Sequence, residues 1–255
     1  KGQLSAPLWL HPGGIRPNGL SGHTGFITLF VAPFSVILLI RLNHEDESMF
    51  ASMRVVTPHS GKTELAKTRM RTAAEIISRN GASDVWMASV LGGYGAGTLH
   101  LYGWFESMTQ VMEVSGNIHS DPAWQELMAE REANPAADIT GPSVWRRLFG
   151  DGGDENDHAV MQRSYVMPRS NFGSAIAMLP EVQELLNGHN VHVSAWAPVI
   201  ADDMTRMNVV YSAPDPVTLG KSIDEVGTSE AFQAILTKAS ELGTLDRASG
   251  LVTMP

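Results

Sequence analysis

The feature that most restricts this chain is that its sequence from residue 49 onward reads as one unit written twice. Val56-Thr-Pro58-His-Ser60 recurs as Val166-Met-Pro168-Arg-Ser170, an offset of 110, and Asn80-Gly81 recurs as Asn187-Gly188, an offset of 107. Beyond that point the offset settles at 108: Ser107 answers Asp215, Asp121 answers Ser229, and Trp124-Gln125 answers Phe232-Gln233. Ser107, Asp215, Asp121 and Ser229 all have the side-chain oxygen that caps a helix N-terminus. A fold for this chain must therefore be built from two similar halves. Four segments follow: an extension over 1–48, a first repeat over 49–150, a linker over 151–158, and a second repeat over 159–255.

Within each half, periodicity gives strand, helix, strand, strand, helix, strand. In the first half these are expected near 51–59, 61–79, 84–91, 98–106, from 107 (interrupted near Asn117, restarting at Asp121-Pro122), and 139–148. The second half repeats them near 159–168, 170–187, 190–199, 204–212, 215–242 and 244–253. Leu65, Met70, Ala73, Ala74 and Ile77 form an apolar stripe at helical spacing. Each unit makes a four-stranded antiparallel sheet with both helices on one face, which leaves the other face needing a cover.

The strand Thr98-Leu-His-Leu-Tyr-Gly-Trp-Phe105 shows what lies on that second face. Leu99, Leu101 and Phe105 point one way, and His100, Tyr102 and Trp104 the other. Its counterpart sets Met207, Val209 and Tyr211 against Arg206, Asn208 and Val210. With the aliphatic sets under the helices, the polar and aromatic sets meet each other inside one chain. The fold class is α+β: two tandem ferredoxin-like βαββαβ repeats pairing their sheets into an intrachain α/β barrel.

On these residues, together with Asp121-Pro-Ala-Trp-Gln125 and Ser229-Glu-Ala-Phe-Gln233, residues 49–255 resemble the dimeric α/β-barrel superfamily, in a tandem-fused form like marine metagenome proteins of unknown function. That superfamily includes cofactor-independent monooxygenases of phenols and quinols, haem-handling enzymes, muconolactone-type isomerases, ligand sensors and stress proteins. The resemblance implies a fold and leaves the chemistry open.

The candidate site is His100, Tyr102 and Trp104 with Arg206 and Asn208, joined by His192 and Trp196 and, at the barrel mouth, His59. A histidine can act as base near neutral pH, Arg and Asn can hold an oxyanion or carboxylate, and the rings can clamp a flat ligand. One function expected is binding of a small aromatic or acidic metabolite between the repeats, with cofactor-independent oxygenase or isomerase chemistry in which His100 is the catalytic base. The other is a non-catalytic assembly or stress protein whose barrel is filled by side chains. A cavity of several hundred Å³ separates the two.

Composition excludes several classes. The chain of 255 residues has no Cys, which removes thiolate nucleophiles, Cys-bound zinc, iron–sulfur clusters and disulfides, and fits a cytoplasmic location. A net charge of −9 argues against nucleic-acid partners. The nine His include no His-x-x-x-His or His-Glu-x-x-His, so neither metal nor cofactor is expected; a haem would need His100 or His192 as axial ligand. Gly61-Lys62-Thr63 imitates a P-loop end, but Val56 stands where the first glycine belongs. Gly93, Gly95 and Gly97 lead into a strand, as a hairpin does. The acidic, glycine-rich Gly150–Asp157 stretch lacks the EF-hand ligand rhythm and reads as a solvated connector. Self-association is expected.

The apolar run Phe26–Ile40 is 15 residues long and broken at Pro33. A transmembrane helix needs about 20 apolar residues. Three readings stand for 1–48. An upstream reading-frame extension, with Met49 or Met53 the true start, ranks first because all 13 Met lie at or after Met49. A membrane anchor and an ordered packing segment follow.

Overall fold

The computed structural model describes residues 49–151 and 156–254. Expectations for 1–48, and for 152–155 within the linker, lie outside those residues. The first half comprises β1 (Phe50–Pro58), α1 (Thr63–Arg79), β2 (Asp84–Gly93), β3 (Leu99–Phe105), α2 (Met108–Ser120), α3 (Pro122–Ala133) and β4 (Ala137–Phe149). The second comprises β5 (Ala159–Val166), α4 (Phe172–Ile176), α5 (Leu179–Leu186), β6 (His192–Ile200), β7 (Arg206–Ala213), α6 (Pro216–Ser222), α7 (Glu230–Ser240) and β8 (Thr244–Thr253).

The eight strands close into one antiparallel barrel in the order β1-β3-β2-β8-β5-β7-β6-β4. Each half contributes four neighbouring strands, and two seams join the halves, β2 to β8 and β4 to β6. Closure leaves the described strands no free edge to pair with another chain. Both seams are finished by a glycine at positive φ. A Cβ on Gly93 (φ 81°) would stand 2.2 Å from the Ala248 carbonyl oxygen, and one on Gly150 (φ 73°) would stand 2.1 Å from that of Val193. Only a residue without a side chain fits either place.

Helices cover the outside of the barrel, as the alternation in the strands predicts. Leu99, Leu101 and Phe105 pack with Ile76, Ile77, Val111, Val114 and Ile118 beneath α1 and α2. Met207, Val209 and Tyr211 pack with Val182, Leu186, Phe232 and Ile235 in the second half. Full burial of one such aliphatic side chain contributes about 1.5–3 kcal/mol. All four expected caps form: Ser107 accepts from Gln110 N, Asp121 from Ala123 N, Asp215 from Val217 N and Thr218 N, and Ser229 from Phe232 N.

Helix continuity differs from expectation in two places. The first-half helix runs unbroken through Asn117 and ends at Asp121, whose extended backbone (φ −75°, ψ 121°) is what a residue before proline prefers. The expected 170–187 helix is instead a 3₁₀ turn over Arg169–Asn171 followed by α4 and α5, with Pro180 in the first turn of α5. Proline lacks the N–H that would have tied that turn back to α4.

Candidate functional site

The inward-facing residues decide what the barrel can hold. Part of it is filled, where Ala88, Val90, Val160 and Leu251 of β2, β5 and β8 are buried together. Elsewhere it is hollow: a cavity of about 440 Å³ lies among Trp86, Tyr102, Trp104, Trp145 and Trp196, with polar side chains from Asp84, Asp151, Asp157, Ser194, Asn208 and Ser212. The filled-barrel alternative does not describe this interior.

The rings form a continuous surface. Tyr102 stacks on Trp104 (6.2 Å between centroids, 17° between planes), Trp104 meets Trp196 at 5.3 Å, and Trp86 meets Tyr102 at 5.3 Å. Two indole N–H groups are already satisfied. Trp145 Nε1 donates to Ser143 Oγ at 2.9 Å, and Trp196 Nε1 donates to Ser194 Oγ at 3.0 Å. What these two indoles offer a ligand is therefore ring surface, which favours flat aromatic partners. Asn208 Oδ1 accepts from Ser164 Oγ at 2.6 Å in the buried interior.

Of the eight residues singled out from the sequence, Tyr102, Trp104, Trp196 and Asn208 line this cavity. His100 shares their inward face but stands behind Tyr102. Its Nδ1 lies 3.0 Å from the Tyr102 hydroxyl, and it is 8% exposed. Burial lowers its pKa to about 4, so at neutral pH it is an uncharged imidazole hydrogen-bonded to the Tyr102 hydroxyl; the same burial raises the Tyr102 pKa. Arg206 sits on the inward face too, yet outside the cavity, held by Asp246 at 2.7 Å and Asp203 at 3.1 Å. His192 is exposed at the start of β6 and is not itself a lining residue, although its ladder partner Ser212 is. His59 pairs with Asp138 at 3.3 Å beyond the end of β1. Neither His100 nor His192 is among the residues that line this cavity. Among the described residues no group of three His, Asp or Glu side chains converges on one point, and no helix is long and apolar enough to cross a membrane.

Sequence reasoning missed Trp86, Trp145 and the three aspartates. A signal was available in Ser143-Val-Trp145 and Ser194-Ala-Trp196, a Ser-x-Trp string that recurs on facing strands and places hydroxyl and indole on one side. The linker is not wholly solvated: Asp157 is 8% exposed and, with Asp151, lines the cavity.

No family model matches the sequence, and no curated protein matches it. Solved structures do share the fold. An anthrone oxidase-like protein superposes with a TM-score of 0.57 at 9% identity, covering 83% of this chain and 93% of its own. A "Putative monooxygenase" from Fusobacterium nucleatum gives 0.55 at 7%, covering 82% and 93%. A "Putative Chlorite dismutase" gives 0.52 at 12%, covering 82% and 95%. The architecture is thus that of the ferredoxin-like α/β barrels with monooxygenase-like and chlorite-dismutase-like neighbours.

Proposed function

We propose that this protein binds a small, flat, hydroxylated aromatic molecule inside the barrel and supports its oxidation by dioxygen without a bound cofactor. The observation carrying the reading is the cavity of about 440 Å³ walled by five aromatic rings, a size suited to a small organic ligand. Its described lining has three carboxylates and no Lys, Arg or His. That charge pattern favours a neutral or cationic ligand over an acidic one, and narrows the class expected from sequence.

Each group then has a role. The rings sandwich the ligand, and the Asp84 and Asp157 carboxylates accept hydrogen bonds from its hydroxyl groups. Tyr102 touches the ligand, while His100 orients the Tyr102 hydroxyl and is a positioning residue. With its pKa near 4, His100 is too weak a base to remove a phenolic proton directly, which argues against the role assigned to it from sequence. In the oxidation, a ring CH₂ of the keto tautomer loses two C–H bonds and gains a C=O. One oxygen atom of O₂ enters that carbonyl and the other leaves as water with the two hydrogens, so no outside reductant is consumed. The neighbours named for monooxygenase and anthrone oxidase-like proteins support this chemistry as an analogy of fold.

The weakness of His100 as a base favours a second reading, binding without turnover. Tryptophan quenching by 1-naphthol together with oxygen uptake in the presence of anthrone tests both. Quenching with uptake supports the oxidase, quenching alone supports the binder, and the absence of quenching removes both.

A further inference from the structure

A second cavity, of about 510 Å³, lies outside the barrel between the first-half sheet and helices α1, α2 and α3. Its chemistry is opposite to that of the barrel interior. Arg54, Arg69 and Arg131 all line it, with Glu132 the single acidic side chain among its described lining residues.

Arg69 has an evident structural task. Its terminal nitrogens donate to the Asn134 carbonyl at 2.7 Å and the Glu130 carbonyl at 3.0 Å, satisfying the open end of α3. Arg54 and Arg131 have none comparable. Arg54 lies over the Trp124 ring, 5.9 Å from its centroid, and among the described residues no carboxylate pairs with it. Arg131 donates to the Met128 sulfur at 3.3 Å, a weak acceptor. Arg54 is largely removed from water and Arg131 partly so, and each feels a neighbouring arginine: burial and Arg131 lower the Arg54 pKa to about 10, and burial and Arg69 lower that of Arg131. Holding Arg54 and Arg131 close together without a paired carboxylate is costly, and an anion between them would offset that cost. The rest of the lining is apolar, including Met70, Leu101, Ile118 and Leu127.

We propose that this cleft is a binding site for an amphipathic carboxylate, whose headgroup lies between Arg54 and Arg131 and whose hydrocarbon body lies along Met70, Leu101, Ile118 and Leu127. Guanidinium groups match carboxylate geometry in a way that a neutral hydroxyl cannot. The site is independent of the barrel cavity and of its occupant.

Calorimetric titration of the full chain with decanoate and with 1-decanol tests it. Saturable decanoate binding is expected, at least tenfold tighter than that of decanol. Arg54→Met and Arg131→Met should each weaken decanoate at least tenfold and leave decanol unchanged, and Arg54→Met should melt no lower than the parent because it removes an uncompensated buried charge. Val210→Trp, which obstructs the barrel cavity, should bind decanoate as the parent does. Equal affinity for acid and alcohol, unaltered decanoate binding by both arginine variants, loss of binding in Val210→Trp, or no binding at all would each overturn the proposal.

Discussion

His100 Nδ1 and the Tyr102 hydroxyl lie 3.0 Å apart on the inner face of β3, and this contact couples a buried titratable group to the wall of the cavity. Removing the hydroxyl in Tyr102→Phe leaves His100 buried without that partner. We expect a stability loss of about 1–3 kcal/mol, read by urea denaturation, together with weaker binding of hydroxylated aromatics.

The same pair sets an acid limit. His100 has a folded pKa of about 4 against the ordinary 6.5, so the unfolded chain takes up a proton more readily than the folded one. Stability is complete above about pH 6.5 and falls as pH drops toward 4, by up to about 3 kcal/mol. His100→Gln should lose most of that slope between pH 7 and 4. A parent slope unchanged in His100→Gln would place the titration elsewhere.

The Asp121 carboxylate sets a limit at lower pH. Asp121 caps α3 while accepting two Arg79 nitrogens at 2.7 and 3.0 Å and Asn80 Nδ2 at 2.8 Å, and these bonds hold its pKa near 2. Its stabilisation is present above the ordinary carboxylate range and lost as pH falls through 2. Asp121→Ala should therefore lower Tm at pH 7, with the gap to the parent closing near pH 2.

The seam glycines bear on closure of the barrel. Gly93→Ala and Gly150→Ala would each drive a Cβ into a carbonyl oxygen across a seam, at positive φ. Each should cost at least about 1–3 kcal/mol from backbone strain alone. Gly92→Ala, where an added Cβ meets nothing within 4 Å, is the neighbouring control and should stay close to the parent.

Much of this fold was legible because alternation in a strand leaves only two faces. Leu99, Leu101 and Phe105 had to go beneath helices, which turned Tyr102 and Trp104 inward. The caps at Ser107, Asp121, Asp215 and Ser229 were local and equally plain. The site was harder to read because facing direction does not give depth along a barrel. Arg206 has the inward parity of Asn208, yet Asp203 and Asp246 hold it outside the cavity; His100 has the parity of Tyr102, yet lies one layer behind it. The Arg206–Asp246 pair spans 40 residues and exists only in the fold, while Asp203 and Tyr102 are sequence neighbours of Arg206 and His100 whose depth is set by the strands around them. The arginines of the outer cleft escaped notice for the same reason: Arg54, Arg69 and Arg131 come from three elements and converge only in the fold.

The claim on which the functional reading rests is that the barrel holds a neutral aromatic guest. Titration calorimetry with 2-naphthol, comparing the parent with Val210→Trp, tests it most directly, since Val210 lines the cavity and a tryptophan there would occupy the guest's space. The account predicts saturable one-to-one binding to the parent and none to a folded Val210→Trp. Equal binding to both proteins, or no binding to the parent, would contradict it.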